Sequence, residues 1–68
     1  MNTQTVTVIG MTCGHCATSV REEVGGIPGV RTVDVDLSTG LVTIGSENQL
    51  DPSAISDAVA EAGYAVAG

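Results

Sequence analysis

Over residues 5–9 the chain alternates threonine with valine before reaching isoleucine, the period of two that a half-buried strand requires. Gly10-Met11-Thr12 interrupts that alternation. A helix is then predicted from Gly14 or His15 to about Val24, because Cys16, Val20, Val24 and Ile27 recur at i, i+4, i+8 and i+11. Arg21, Glu22 and Glu23 cover its other face, and Gly25-Gly26 with Pro28-Gly29 end it and turn the chain.

Alternation returns over residues 30–37, with Val33, Val35 and Leu37 on the predicted core side and Thr32, Asp34 and Asp36 on the solvent side. Ser38-Thr39-Gly40 reads as a short hairpin loop, Gly40 suiting the position that needs positive φ. Residues 41–45 form the partner strand, with Val42 and Ile44 inward. Asp51-Pro52 announces a second helix, aspartate as N-cap and proline at the first helical position. Ile55, Ala58, Val59 and Ala62 form its apolar stripe, Gly63 stops it, and residues 64–66 supply one short last strand.

The order strand, helix, strand, strand, helix, strand makes two βαβ halves, 3–37 and 41–67, joined by the hairpin. The expected class is α+β: one ferredoxin-like βαββαβ domain over residues 1–68, two helices packed on one face of a four-stranded antiparallel sheet. The halves repeat in pattern and not in residues, and only the first carries cysteines.

Composition narrows the function. The chain has 68 residues, and a domain of that size buries only about 60% of the surface its unfolded form exposes. A hydrophobic fraction of 43% excludes a disordered tail, yet there is one Tyr and no Phe or Trp, so the core must be aliphatic. Eight acidic residues face two arginines and no lysine, a net charge of −6. That balance repels nucleic acid and anionic membrane surfaces and favours a basic partner. No apolar run nears the about 18 residues of a membrane span, so no direct membrane insertion is expected. The opening residues lack a basic stretch followed by an apolar block, which reads as a cytoplasmic chain.

Cys13 and Cys16 carry the chemistry. In a reducing cytosol such a pair is metal-binding or redox-active more often than a structural disulfide. The pattern places Cys13 in the loop after the first strand and Cys16 in the first helical turn. There the unpaired amides and partial positive charge of the helix favour thiolate over thiol. Two thiolates and little else form a soft, low-coordinate site suited to Cu(I), whereas structural zinc wants four ligands. A site short of ligands suits transfer, since an incoming thiolate has somewhere to bind. Cys-Gly-His-Cys is also the redox sequence of protein disulfide isomerases, so a dithiol redox protein stays open as a rival reading.

Gly10-Met11-Thr12-Cys13-Gly14-His15-Cys16 resembles the signature of heavy-metal-associated domains, the small modules of copper chaperones and of the N-terminal regions of copper ATPases. The likeness extends to Val-Asp-Val-x-Leu and Glu-Ala-Gly-Tyr further along. It implies that Cys13 and Cys16 are the Cu(I) ligands, that Met11 is a core residue beneath the loop, and that Tyr64 is the aromatic which bacterial members place near the metal. His15 stands where many relatives have Ala or Ser. Three roles remain open for it: a third ligand, a group tuning thiol acidity or metal exposure, and a plain solvent-facing histidine. The implied protein is a cytoplasmic copper chaperone and not an enzyme. It would deliver Cu(I) to a copper-transporting P-type ATPase, and also to a copper-sensing repressor. A copper-bridged homodimer is expected at excess metal. An ATPase N-terminal domain and a carrier of Ag(I), Hg(II) or Zn(II) are the other readings, Met1 and the stop soon after the last strand favouring a free-standing chain.

Overall fold

Side chains alternate in and out along β1 (Asn2–Ile9), with Val6 and Val8 on the core side and the threonines on the other. A computed structural model describes residues 2–12 and 14–67. The chain continues as α1 (Gly14–Gly25), β2 (Val30–Asp36), β3 (Leu41–Ser46), α2 (Pro52–Glu61) and β4 (Ala65–Ala67). The strands form one antiparallel sheet in the order β2-β3-β1-β4, the βαββαβ arrangement expected of a ferredoxin-like domain.

Register decides which residues meet. Val6 pairs with Val42 and Val8 with Val66, while Val33 and Val35 pair with Ile44 and Val42. These rows face the helices, where Val20 and Val24 of α1 and Ile55, Ala58 and Val59 of α2 complete one aliphatic core. Val20, Val24, Val42, Ile44 and Val59 lose all contact with solvent. At about 25 cal/mol per Å² of apolar surface removed from water, this layer is the main favourable term in a domain whose one aromatic residue is Tyr64. Gln4 ties the approach to α2 to the sheet: its side chain accepts from the Leu50 amide at 2.7 Å and donates to the Leu50 carbonyl at 3.2 Å.

At the end of β2 and the start of β4 the boundary departs from the pattern for a local reason. β2 stops at Asp36, and Leu37, expected in the core, is 41% exposed. The Asp36 carboxylate accepts from the Ser38 amide at 3.0 Å and the Ser38 hydroxyl at 2.6 Å, closing the turn one residue early. α1 ends at Gly25, in line with the expected end near Val24, and Ile27 beyond it packs against the core. β4 begins at Ala65 because the helix end claims the Tyr64 amide, which donates to the Val59 carbonyl at 3.1 Å while Gly63 donates to Ala60 at 2.9 Å. That is a Schellman closure, and it holds Tyr64 against Val59 and the core.

The hairpin between the halves depends on Gly40. Its φ is +76°, its carbonyl accepts from the Val8 amide at 2.8 Å, and a Cβ there would lie 2.8 Å from the Val8 carbonyl oxygen. β1 therefore ends, β3 begins, and the segment leading to α1 departs, all at one end of the sheet.

Candidate metal centre

The segment 10–16 is built from the backbone outwards. Gly10 takes φ +99°, and a Cβ there would sit 3.3 Å from Cδ1 of the Tyr64 ring. The tyrosine that closes α2 thus lies against the first residue of the loop leading to α1. Met11 is half-buried and packs against the core, in agreement with the core role expected for it. Thr12 is exposed, and its Oγ1 stands 3.9 Å from Sγ of Cys16, a long contact at the limit for a weak sulfur hydrogen bond.

Cys16 is half-buried in the first turn of α1, one residue before the buried Ala17. His15 is exposed. The Thr18 hydroxyl donates to the Gly14 carbonyl at 3.0 Å and the Ser19 hydroxyl to the His15 carbonyl at 3.2 Å, so both are turned back along the helix. Cys13, the other expected ligand, lies outside the described residues. Of the five residues singled out in the sequence, the fold sets Tyr64 against Gly10 in the loop before α1, packs Met11 of that loop against the core, places Cys16 in the first turn of α1, and leaves His15 on the outer surface.

Thr12 was not singled out in the sequence. It lies before α1 begins, so helical spacing does not announce its approach to the Cys16 sulfur. Among the described residues no three His, Cys, Asp or Glu side chains converge as a metal cluster. Electrostatically, the start of α1 contains no acidic residue in its first turn. α2 differs, because Asp51 caps it: the carboxylate accepts from the Ser53 amide at 3.0 Å and the Ser53 hydroxyl at 2.8 Å. Those bonds hold the Asp51 carboxyl below its ordinary value, as the Ser38 bonds do for Asp36.

A groove of about 560 Å³ lies elsewhere, between β1, β4 and the start of α2, with Gln4, Val6, Pro52, Ile55 and Val66 among its walls. No titratable side chain lines it. No helix among the described residues is long and apolar enough to cross a membrane.

The βαββαβ topology with a cysteine in the first turn of the first helix defines a small α+β module carrying thiol chemistry at one end of its sheet. The heavy-metal-associated domain model matches residues 5–65, and the chain belongs to that family. The copper chaperone CopZ of Staphylococcus aureus (strain JH9) is 34% identical over 67 residues, covering 97% of this chain and 98% of that protein. A solved structure of a CopZ metallochaperone superposes with a TM-score of 0.91 at 33% identity, covering 97% of this chain and 100% of the other. A copper-binding domain from HMA7, a P-type ATPase, superposes with a TM-score of 0.89 at 26% identity, covering 98% of this chain and 92% of that one.

Proposed function

We propose that this chain is a cytoplasmic copper chaperone, which binds Cu(I) through Cys13 and Cys16 and hands it to the metal-binding domain of a copper-transporting P-type ATPase. The observation that carries this reading is the likeness to copper chaperone CopZ along essentially the whole of both chains. The chemistry of the motif agrees: two thiolates match a soft monovalent ion, and the amides opening α1 face the negative charge that such a complex keeps. Thr12 offers Cys16 a hydroxyl, and Tyr64 and Met11 support the loop from beneath.

Delivery is ligand exchange. A thiolate of the receiving domain adds to copper, one sulfur of this chain leaves, and a second exchange releases the metal. Copper remains Cu(I) throughout, and each Cu–S bond lost is replaced by one gained. The same pair of thiolates accounts for Ag(I) as an alternative cargo, for a copper-bridged homodimer at excess metal, and for a copper-sensing repressor as a second recipient. Likeness to the copper-binding domain of HMA7 favours one other reading, a metal-receiving domain within a longer ATPase.

Anaerobic competition of Cu(I) and Zn(II) against a chromophoric chelator tests the proposal. Tight Cu(I) binding that outcompetes Zn(II) and disappears in Cys13→Ser and Cys16→Ser is the expected result. Native affinity in either folded, monomeric variant would refute it.

A further inference from the structure

Among the described residues, the exposed large hydrophobic side chains are Ile9, Leu37 and Leu41, at 58%, 41% and 40%. All three sit at the end of the sheet from which the loop to α1 departs. Ile9 directly precedes Gly10, Leu41 opens β3 opposite Thr7, and Leu37 lies in the turn between them and β2. Ile9 and Leu41 also share a face. Val6, Val8 and Val42 point to the helices, so Ile9 and Leu41 stand on the side of the sheet that no helix covers. The opposite end is polar: Asn2 donates to the Glu47 carbonyl, and Arg31 is ion-paired with Glu47.

Charge is divided in the same way. On the uncovered face, Asp34 pairs across to Thr43 and Asp36 to Leu41 itself. Arg31 is engaged at the far end and Arg21 lies on α1, so neither compensates Asp36 beside the patch. The Ser38 bonds hold the Asp36 carboxyl below its ordinary value.

We infer that Ile9, Leu37 and Leu41 form the contact patch for the domain that receives the metal, and that this domain meets it with apolar side chains flanked by lysine or arginine. The inference rests on the transfer function proposed above and names its recipient's surface chemistry. Three observations carry it: the patch begins at Ile9, next to the loop that leads to α1 and Cys16, it holds the exposed large hydrophobic side chains of the described residues, and its charged border is acidic in a chain of net charge −6.

The test is stopped-flow copper transfer from the loaded chain to the purified metal-binding domain of a copper-transporting ATPase of the same organism. The double variant Leu37→Gln/Leu41→Gln alters exposed positions, and circular dichroism checks its fold. Its transfer rate should fall about tenfold or more while Cu(I) affinity stays at the wild-type value. Raising the salt concentration should slow wild-type transfer, as screening of opposite charges requires. Wild-type transfer by a double variant that binds copper normally would overturn the patch alone. Transfer indifferent to salt would overturn the basic character assigned to the recipient. Absence of Cu(I) binding in the wild-type chain would overturn the transfer function and the patch with it.

Discussion

α1 and α2 occupy equivalent places in the two βαβ halves, yet their first turns are used differently. α2 begins in a self-contained way: Asp51 caps it, Pro52 opens it, and the carboxylate is occupied by Ser53. The residue before α1 is Cys13, with Thr12 ahead of it and Cys16 in the first turn, and no carboxylate competes for the amides there. A helix start can thus be given to stability or kept for an anionic ligand. The teaching of the pair is that only α2 is closed by a carboxylate of its own. The proposed metal site falls where that stabilising carboxylate is missing.

The largest expected effect breaks the α1 side. In wild type, Cu(I) at a thousandfold excess over Kd should raise stability by about 4 kcal/mol, because the ligand binds only the native state. Cys16→Ser should abolish that rise while the metal-free melting temperature changes little. Differential scanning fluorimetry with and without Cu(I) reads both quantities.

Next comes the joint between the halves. Gly40→Ala forces a Cβ to within 2.8 Å of a backbone carbonyl at φ +76°, and neither partner can yield cheaply. A loss of about 2 kcal/mol is expected, a fall of about 10 °C in melting temperature for a domain of this size. Urea denaturation checks it, and full stability in this variant would contradict the hairpin geometry.

Asp51→Ala addresses the α2 side and should do the reverse of the cysteine change. Metal-free stability drops, and Cu(I) affinity is untouched. Acid should mimic the substitution. The Asp51 and Asp36 carboxyls titrate below their ordinary value of 3.8 in the folded chain. Their contribution is therefore full above that value and lost as pH falls through the lower folded one. Melting curves between neutral pH and pH about 2 should show wild type and Asp51→Ala converging at the acid end.

The smallest effect concerns Thr12. Thr12→Val removes the hydroxyl 3.9 Å from the Cys16 sulfur and keeps the shape. One weak hydrogen bond is worth about 1 kcal/mol or less, so a severalfold loss of Cu(I) affinity is expected in the chelator competition. An undiminished affinity would show that the contact plays no part in holding metal.

Much of the fold was legible because the alternating strands and the helical stripe use different periods in a chain with few ambiguous runs. The Asp51-Pro52 start and the Gly40 turn were readable for the same reason: each residue type has one strong local use. The misplaced residues were those whose fate depended on a turn. Leu37 continues the alternation of Val33 and Val35, but the Asp36 to Ser38 bonds end the strand before it. Tyr64 reads as the start of a strand until the helix end claims its amide. In the candidate site, the motif was visible in the residues themselves, and the family resemblance pointed to Tyr64 and Met11 beside it. The approach of Tyr64 to Gly10 joins residues 54 positions apart, so spacing and periodicity alone carry no sign of it.

The central claim is that the first turn of α1 is the metal-holding counterpart of the capped start of α2. Its most direct test is anaerobic Cu(I) competition on four proteins side by side: wild type, Cys13→Ser, Cys16→Ser and Asp51→Ala. Wild type and Asp51→Ala should bind one Cu(I) with the same affinity, and both cysteine variants should lose the chelator competition outright. Equal Cu(I) affinity across all four would contradict the account.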